Sequence, residues 1–210
     1  MKQKVCRFHW LRTIFVSLAG ILVFGAAMSC TLKEPDQKVL EAYSLRIGGH
    51  ADSASVVLDE LLKAHPDMAM AWYEQARTTM HIAMSNPREL KESLEKATDY
   101  IGRAVEKEPE NALYHSYKGG LETLRFYMAM QMGDENAKEH LIRIEETYNK
   151  VLQLDPTYYE NKITLVEFFG GLPEEMGGDK VKAEQYAREL EKADLVSGAK
   201  AREIMMPEDA

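Results

Sequence analysis

Residues 54–73 of this chain, ASVVLDELLKAHPDMAMAWY, carry the pattern that decides its fold. Within this stretch Ala54, Leu58 and Leu61 are spaced four and then three residues apart, so they share one face of a helix. Pro66 follows five residues later and ends that helix. The same spacing recurs at Ala97, Ile101, Ala104 and Pro109 and again at Ile144, Tyr148, Val151 and Pro156. A helical pattern that returns in this way is typical of helical-repeat proteins rather than enzymes.

Helical patterns fill most of the chain around these repeats. One helix is predicted over 36–47, ending at Gly48 and Gly49, and a second over 51–64. No alternation of β-branched residues is long enough to predict a strand. The sequence therefore predicts an all-α fold: a solenoid of helical hairpins with about four irregular repeats, followed by a C-terminal capping helix over 195–204.

Several of these positions resemble the tetratricopeptide repeat (TPR). Small and large apolar positions of that family, and its proline, are matched by Ala42, Leu45, Ala54, Leu58 and Pro66. The junction 66–73 resembles the family's entry into the next repeat, with Trp72 at its tryptophan position and Ala76 at its glycine position. The resemblance implies a TPR-like fold whose stacked hairpins form an extended concave binding face.

The repeats are longer than the usual unit of about 34 residues. Pro66 and Pro109 are 43 residues apart, and Pro109 and Pro156 are 47 apart. We expect the extra length to extend the first helix and its loop in the second unit, around 85–88, and to produce long helices in the third unit, over 112–132 and on to Leu154.

A targeting segment precedes the repeats. Residues 1–29 contain four basic residues followed by an apolar run over 14–28, which is too short and too quickly followed by charge for a permanent spanning helix. Ala26, Ala27, Met28, Ser29 and Cys30 resemble the lipobox of bacterial lipoproteins.

That resemblance implies cleavage before Cys30, diacylglycerol on its thiol, and a lipoprotein that is exported and held at the membrane, facing the periplasm or the cell exterior. Ordinary signal-peptidase cleavage after Ser29 is the alternative. The domain prediction is a cleaved signal peptide over 1–29, a lipidated Cys30 with a short tether over 30–35, and a TPR-like domain over 36–210.

Charge excludes one class of partner. Without residues 1–29 the chain has 22 basic and 34 acidic residues, a formal charge of −12. So acidic a protein repels nucleic acid unless it concentrates a basic patch, and the sequence has none. One cysteine at most remains, so no internal disulfide is predicted.

No catalytic, cofactor or metal site is predicted. The sequence lacks Gly-x-Ser-x-Gly, a phosphate-binding loop and His-Glu-x-x-His. No two histidines after residue 30 are three or four residues apart, the spacing at which two side chains on one helix face could bind the same metal ion. The acidic loop over 170–179 lacks the spacing of an EF-hand and is interpreted as a glycine-rich turn.

Partner-binding residues are predicted on the first helices of the hairpins, which line the concave face. The candidates are aromatic or polar side chains of the second and third units: Trp72, Gln75, Arg77, Tyr114, His115 and Lys118. Aromatic edges and hydroxyl groups suit a bound peptide or a small apolar ligand, although core packing is the commoner role of such aromatic residues.

Two functions follow from these expectations. The first is a non-catalytic scaffold that docks an envelope protein or peptide on its concave face. The alternative is an accessory of a transport system, similar to the TPR-like partners of TRAP transporters, that binds a small apolar ligand or a substrate-binding protein. In that case Met128, Met130 and Met132 would line an apolar pocket or a subunit interface. A closed cavity with convergent polar groups would favour the transport accessory, and an open concave groove would favour the docking scaffold.

Overall fold

The computed structural model describes residues 33–133 and 137–206, without the side chains of 137 and 138. The predicted signal peptide 1–29 and the lipidation site Cys30 lie outside the described residues. The first helix begins at Glu34, because Pro35 is suited to a first helical turn. The last two residues of the predicted tether 30–35 are therefore helical.

The described residues form helices and turns without a strand, which confirms the predicted all-α class. Nine α-helices are seen in this part of the chain: α1 Glu34–Ile47, α2 Ala51–Ala64, α3 Ala69–Ser85, α4 Leu90–Lys107, α5 Ala112–Gln131, α6 Ala137–Leu154, α7 Tyr159–Gly171, α8 Lys180–Ala193 and α9 Leu195–Met205. Within residues 33–133 and 137–206, no helix combines the length and the apolar character needed to cross a bilayer.

Successive helices pair into four hairpins. The pairs are α1 with α2, α3 with α4, α5 with α6 and α7 with α8, and α9 packs on α7 and α8 as the predicted cap. Each hairpin also contacts its neighbours, so the core is a series of buried groups along the solenoid rather than one central cluster. The prediction of four hairpins and a cap is confirmed.

Small residues allow the helices to pack closely. The predicted alanines Ala42, Ala54 and Ala97 have no exposed surface. Gly119 of α5 has the same role, because a β-carbon at this position would lie 2.2 Å from the ring of Tyr148 on α6. The two long helices of the third hairpin therefore touch at a glycine.

Two hydrogen bonds at equivalent positions secure the turns between hairpins. The indole Nε1 of Trp72 donates to the carbonyl oxygen of Pro66 at 2.8 Å. Nε2 of His115 lies 2.9 Å from the carbonyl oxygen of Pro109, again six residues earlier. The repeated proline is thus an acceptor for the next helix as well as the end of the previous one.

The longer repeats place their extra residues where the sequence predicts. In the second unit, α3 extends to Ser85, and Pro87–Glu89 form a 3-10 turn that leads directly into α4. Since this turn is short, α4 begins directly after it, at Leu90. In the third unit, α5 has 20 residues and α6 has 18.

Adjacent glycines on α5 provide a test of this packing. We expect Gly119→Ala to lower the free energy of unfolding by about 1–3 kcal/mol, because the added methyl group overlaps the Tyr148 ring. Gly120→Ala, where nothing lies within 4 Å of the added carbon, should instead raise it by about 0.5–1 kcal/mol through helix propensity. Urea unfolding followed by circular dichroism measures both. Equal effects of the two substitutions would contradict the close α5–α6 contact.

Candidate functional site

A groove of about 560 Å³ opens between the first helices of three successive hairpins, α1, α3 and α5. We call it the α1–α3–α5 groove. Most of its lining is apolar: Val39, Leu40 and Tyr43 on α1, Met68, Met70 and Tyr73 on α3 or just before it, and Leu113 on α5. First helices form the concave face of a solenoid of helical hairpins, so the groove lies on the face predicted to bind a partner.

The apolar wall of the groove is partly open to water. Leu40 is 51% exposed, Met70 41% and Tyr43 39%. Apolar side chains that gather on one concave surface mark a binding surface more than scattered ones do. Val39 and Ala42, also on α1, are buried among residues of α2 and α3.

A charged cluster lies at one end of the groove, and we call it the Arg46–Glu74–Arg77 cluster. Arg46 Nε donates to Glu74 Oε1 at 2.6 Å, and both side chains are at least nine-tenths buried. Arg77 Nη1 lies 3.5 Å from Glu74 Oε2, and its side chain remains 32% exposed. One carboxylate thus serves two guanidinium groups, and the shorter contact is to Arg46.

Tyrosine rings surround this cluster. The guanidinium carbon of Arg77 lies 5.3 Å from the centre of the Tyr73 ring and 5.9 Å from that of Tyr43. Arg46 lies 5.3 Å from the Tyr43 ring. Cations over aromatic faces at these distances are attracted to the ring quadrupole. The rings therefore orient both arginines across the boundary between α1 and α3.

Two contacts between tyrosine rings form the base of the groove. The Tyr73 ring packs 5.2 Å from Tyr114 and 5.5 Å from Tyr117 on α5, centre to centre. Burial raises the pKa of Tyr73 and Tyr117, although the nearby Arg77 charge opposes that rise. Burial and the neighbouring Glu108 raise the pKa of Tyr114. At neutral pH these hydroxyl groups are therefore uncharged.

The opposite end of the groove is acidic. Asp36 lines it near the start of α1, seven residues before Tyr43, a rise of about 10 Å along the helix. Met68 and Met70, at the start of α3, lie at that same end. The groove thus has an acidic end, an apolar middle and an arginine-rich end.

Of the residues predicted to bind a partner, Arg77 lines the groove and Tyr114 lies beneath it. Tyr114 is 1% exposed, and its hydroxyl group lies 4.0 Å from Met70 Sδ. Tyr114 therefore supports a lining residue without facing an occupant.

The other four predicted residues lie elsewhere. Trp72 and His115 bond to the turns between hairpins, and Trp72 also stacks on Tyr100 of α4. Gln75 is 2% exposed, and its amide Nε2 donates to Asp59 Oδ1 and Ser55 Oγ of α2. Lys118 Nζ lies 3.7 Å from Glu122, four residues along α5. Trp72 and Gln75 therefore face neighbouring helices, whereas His115 contacts the turn before its own helix and Lys118 pairs along α5.

The methionine-rich stretch of α5 does not line the groove. Met128 packs against the core of α3, α4 and α5, Met130 packs against that of α5 to α8, and Met132 is 66% exposed.

In the described part of the chain, no three His, Cys, Asp or Glu side chains come together in a way that could hold a metal ion. Asp179, in the acidic loop, accepts from the backbone N–H groups of Val181 and Lys182 at the start of α8.

Sequence reasoning missed Tyr43, Arg46 and Glu74. A signal for Arg46 was present, because it falls four residues after Ala42 and seven after Val39, on the apolar face of α1. A charged residue on the apolar face of a helix is buried and requires a partner of opposite charge. Nothing local indicates that the partner is Glu74, which lies 28 residues away.

The buried acid gives a direct test of the Arg46–Glu74–Arg77 cluster. We expect Glu74→Gln to destabilise the protein by about 3 kcal/mol, because it leaves two cations together without a counter-charge. Glu92→Gln, which removes an exposed carboxylate from a pair with Lys96, should leave the melting temperature unchanged. Thermal unfolding followed by circular dichroism compares the two. A Glu74→Gln protein that melts like the unmodified one would show that the cluster does not hold α1 against α3.

Comparison with known proteins places this architecture in a family. The family profile described as TRAP transporter T-component (TAtT) matches residues 46–201, well over half of the 210 residues. The match begins at Arg46 and includes α2 through most of α9. No curated protein matches the chain.

The comparison with solved structures finds similar chains at low sequence identity. The double mutant of MamA RS-1 ArsTM superposes with a TM-score of 0.52 at 17% identity, over 83% of this chain and 79% of that one. An O-GlcNAc transferase mutant from Thermobaculum terrenum has a TM-score of 0.48 at 17% identity, over 76% of this chain and 27% of that one. A thermophilic TPR protein from Thermus thermophilus has a TM-score of 0.40 at 18% identity, over 81% of this chain and 98% of that one.

The latter two scores are too low to support an inference, and the first supports the fold alone. Helix order, paired packing and structural likeness together confirm the predicted TPR-like solenoid. On the match over residues 46–201, the chain belongs to the family of TRAP transporter T-components.

Proposed function

We propose that this protein is a non-catalytic accessory of a TRAP transport system, and that it docks the system's substrate-binding protein in the α1–α3–α5 groove. Family membership supports the transport system. The groove supports docking, because it is open along the concave face and combines apolar side chains with charged ends.

The openness of the groove is the observation that favours a protein partner. A small ligand is usually held in a cleft that buries most of its surface. Here Leu40, Tyr43 and Met70 are each more than one-third exposed, so they are placed to contact a surface that covers them from outside. Aromatic and methionine side chains are also enriched at the centres of protein interfaces.

We also propose that the protein is an exported lipoprotein held at the membrane through Cys30. The lipobox-like stretch 26–30 supports this proposal. In such a lipoprotein only Thr31, Leu32 and Lys33 would separate Cys30 from the first residue of α1. At about 3.5 Å per extended residue, the start of α1 would lie within roughly 15 Å of the lipidated residue. The groove would then open close to the membrane, where a transporter operates.

A small apolar ligand is the second candidate. Its support is the volume of the groove, about 560 Å³, since ligand sites commonly have volumes of about 300–1,000 Å³. Such a ligand would contact the same apolar middle section.

The two candidates are separated by calorimetry with the purified substrate-binding protein of the same transport system. We expect Leu40→Glu to weaken this association about tenfold or more, because it places a carboxylate in the apolar middle section. Leu40 is half exposed, so the fold should tolerate the change. Leu195→Glu, at an 85% exposed position on α9, is the matched control and should bind like the unmodified protein.

Two results would contradict docking in the groove: no association of the unmodified protein, or equal affinity of the Leu40→Glu and Leu195→Glu variants. A small molecule that co-purifies with the unmodified protein and is lost from Leu40→Glu would favour the second candidate. Mass spectrometry of the protein from its native membrane tests the lipid on Cys30 separately.

A further inference from the structure

The Arg46–Glu74–Arg77 cluster has more hydrogen-bond donors than acceptors. Two guanidinium groups have five N–H bonds each, whereas Glu74 has one carboxylate. Glu74 Oε1 accepts from Arg46 Nε at 2.6 Å, and Glu74 Oε2 lies 3.5 Å from Arg77 Nη1. The buried Nη2 atom of Arg46 has no hydrogen-bond partner. The two arginines and one glutamate therefore give this cluster a net positive charge, and one of its buried donors has no acceptor.

Arg77 is the member of the cluster that an occupant can reach. It lines the groove with about one-third of its side chain exposed, whereas Arg46 and Glu74 are almost completely buried. The rings of Tyr43 and Tyr73 hold its guanidinium group beside the apolar wall. A cation positioned at the border of an apolar surface interacts more strongly with an opposite charge than a fully solvated cation does.

We infer that the occupant of the α1–α3–α5 groove is a segment of the partner protein with apolar side chains and one acidic side chain, whose carboxylate pairs with Arg77. This inference rests on the proposed docking function and names the chemistry of the docked segment. The carboxylate supplies Arg77 with a counter-charge, because Glu74 is held closely by Arg46 and lies 3.5 Å from Arg77. The apolar side chains cover Leu40, Tyr43 and Met70.

Other segments fit the groove less well. A basic side chain at the same end would be repelled by Arg77, and an apolar one would remove Arg77 from water without giving it an acceptor. The acidic end of the groove also favours a peptide over a hydrocarbon chain. Asp36 is about 10 Å along α1 from Tyr43, so a hydrocarbon tail in the groove would end against a carboxylate. A peptide can meet Asp36 with backbone N–H groups or a basic side chain.

Methionine methyl groups provide reporters inside and outside the groove. Met68 and Met70 line it, whereas Met84 at the far end of α3 is 78% exposed and outside it. The purified protein is labelled with carbon-13 in its methionine methyl groups and titrated with three peptides, acetyl-Leu-Ala-Leu-Glu-amide and its Gln and Lys counterparts. Both termini are blocked, so the three peptides differ only in the last side chain.

We expect the Glu peptide to shift the Met68 and Met70 signals, to leave Met84 in place, and to bind about tenfold more tightly than the Gln peptide. The Lys peptide should bind most weakly. Arg77→Met should abolish the preference for Glu over Gln while retaining an apolar side chain, and Arg77→Lys should keep part of it. Arg103→Met is the matched control. Arg103 also lies over an aromatic ring, that of Trp72, but it belongs to α4 and does not line the groove.

Three results would overturn the inference. The Glu and Gln peptides could bind the unmodified protein equally, or Arg77→Met could leave the preference intact. Alternatively, decanoate could shift Met68 and Met70 when no peptide does, which would assign the groove to a free apolar acid.

The docking proposal fails in a different way. If the substrate-binding protein does not associate but the Glu peptide is selected through Arg77, the choice of partner is wrong and the carboxylate inference stands. If the substrate-binding protein associates and Arg77→Met does not weaken that association, docking stands and the inference is overturned.

Discussion

The structure depends on close packing between helices, which is possible because alanine or glycine occupies the points of contact. Ala42, Ala54 and Ala97 have no exposed surface, and Gly119 leaves room for the Tyr148 ring where a β-carbon would not fit. Such contacts bring the two helices of a hairpin close together, and larger side chains then fill the spaces between hairpins. Because that stacking sets the spacing of first helices, it also sets the width of the α1–α3–α5 groove.

Burial of charge beside the groove is the second consequence of this packing. Arg46 and Glu74 belong to the first and second hairpins and meet where α1 packs against α3. A buried ion pair is a weak source of net stability, since desolvation opposes the attraction, but it penalises any arrangement that separates the partners. We therefore expect the pair to act mainly by fixing the register of α1 on α3. The same geometry leaves Arg77 between two tyrosine rings at the edge of the groove.

Much of the fold could be predicted from the sequence, because its determinants are local. The spacing from Ala54 to Pro66 and the glycines after Ile47 fix helix phase and helix ends, which depend on nearby residues. The site was predicted less well. Gln75 and Arg77 are two residues apart on the same helix, yet one is buried against α2 and the other lines the groove. Choosing between them requires the rotation of α3 relative to its neighbours, and that rotation depends on contacts between residues distant in sequence, such as Arg46 and Glu74.

Among residues 33–133 and 137–206, α1 lies at one end of the solenoid, and this position has a consequence for local stability. A terminal hairpin is supported by a neighbour on one side, so it opens at a lower free-energy cost than an internal one. Since α1 provides one wall of the groove, opening of the first hairpin removes that wall while the other hairpins stay folded. An occupant that touches α1, α3 and α5 together is bound only by the closed form, and it therefore slows amide hydrogen exchange in α1 and α2 more than in α7 and α8. Binding in the proposed groove and the folding of the first hairpin would then be thermodynamically linked.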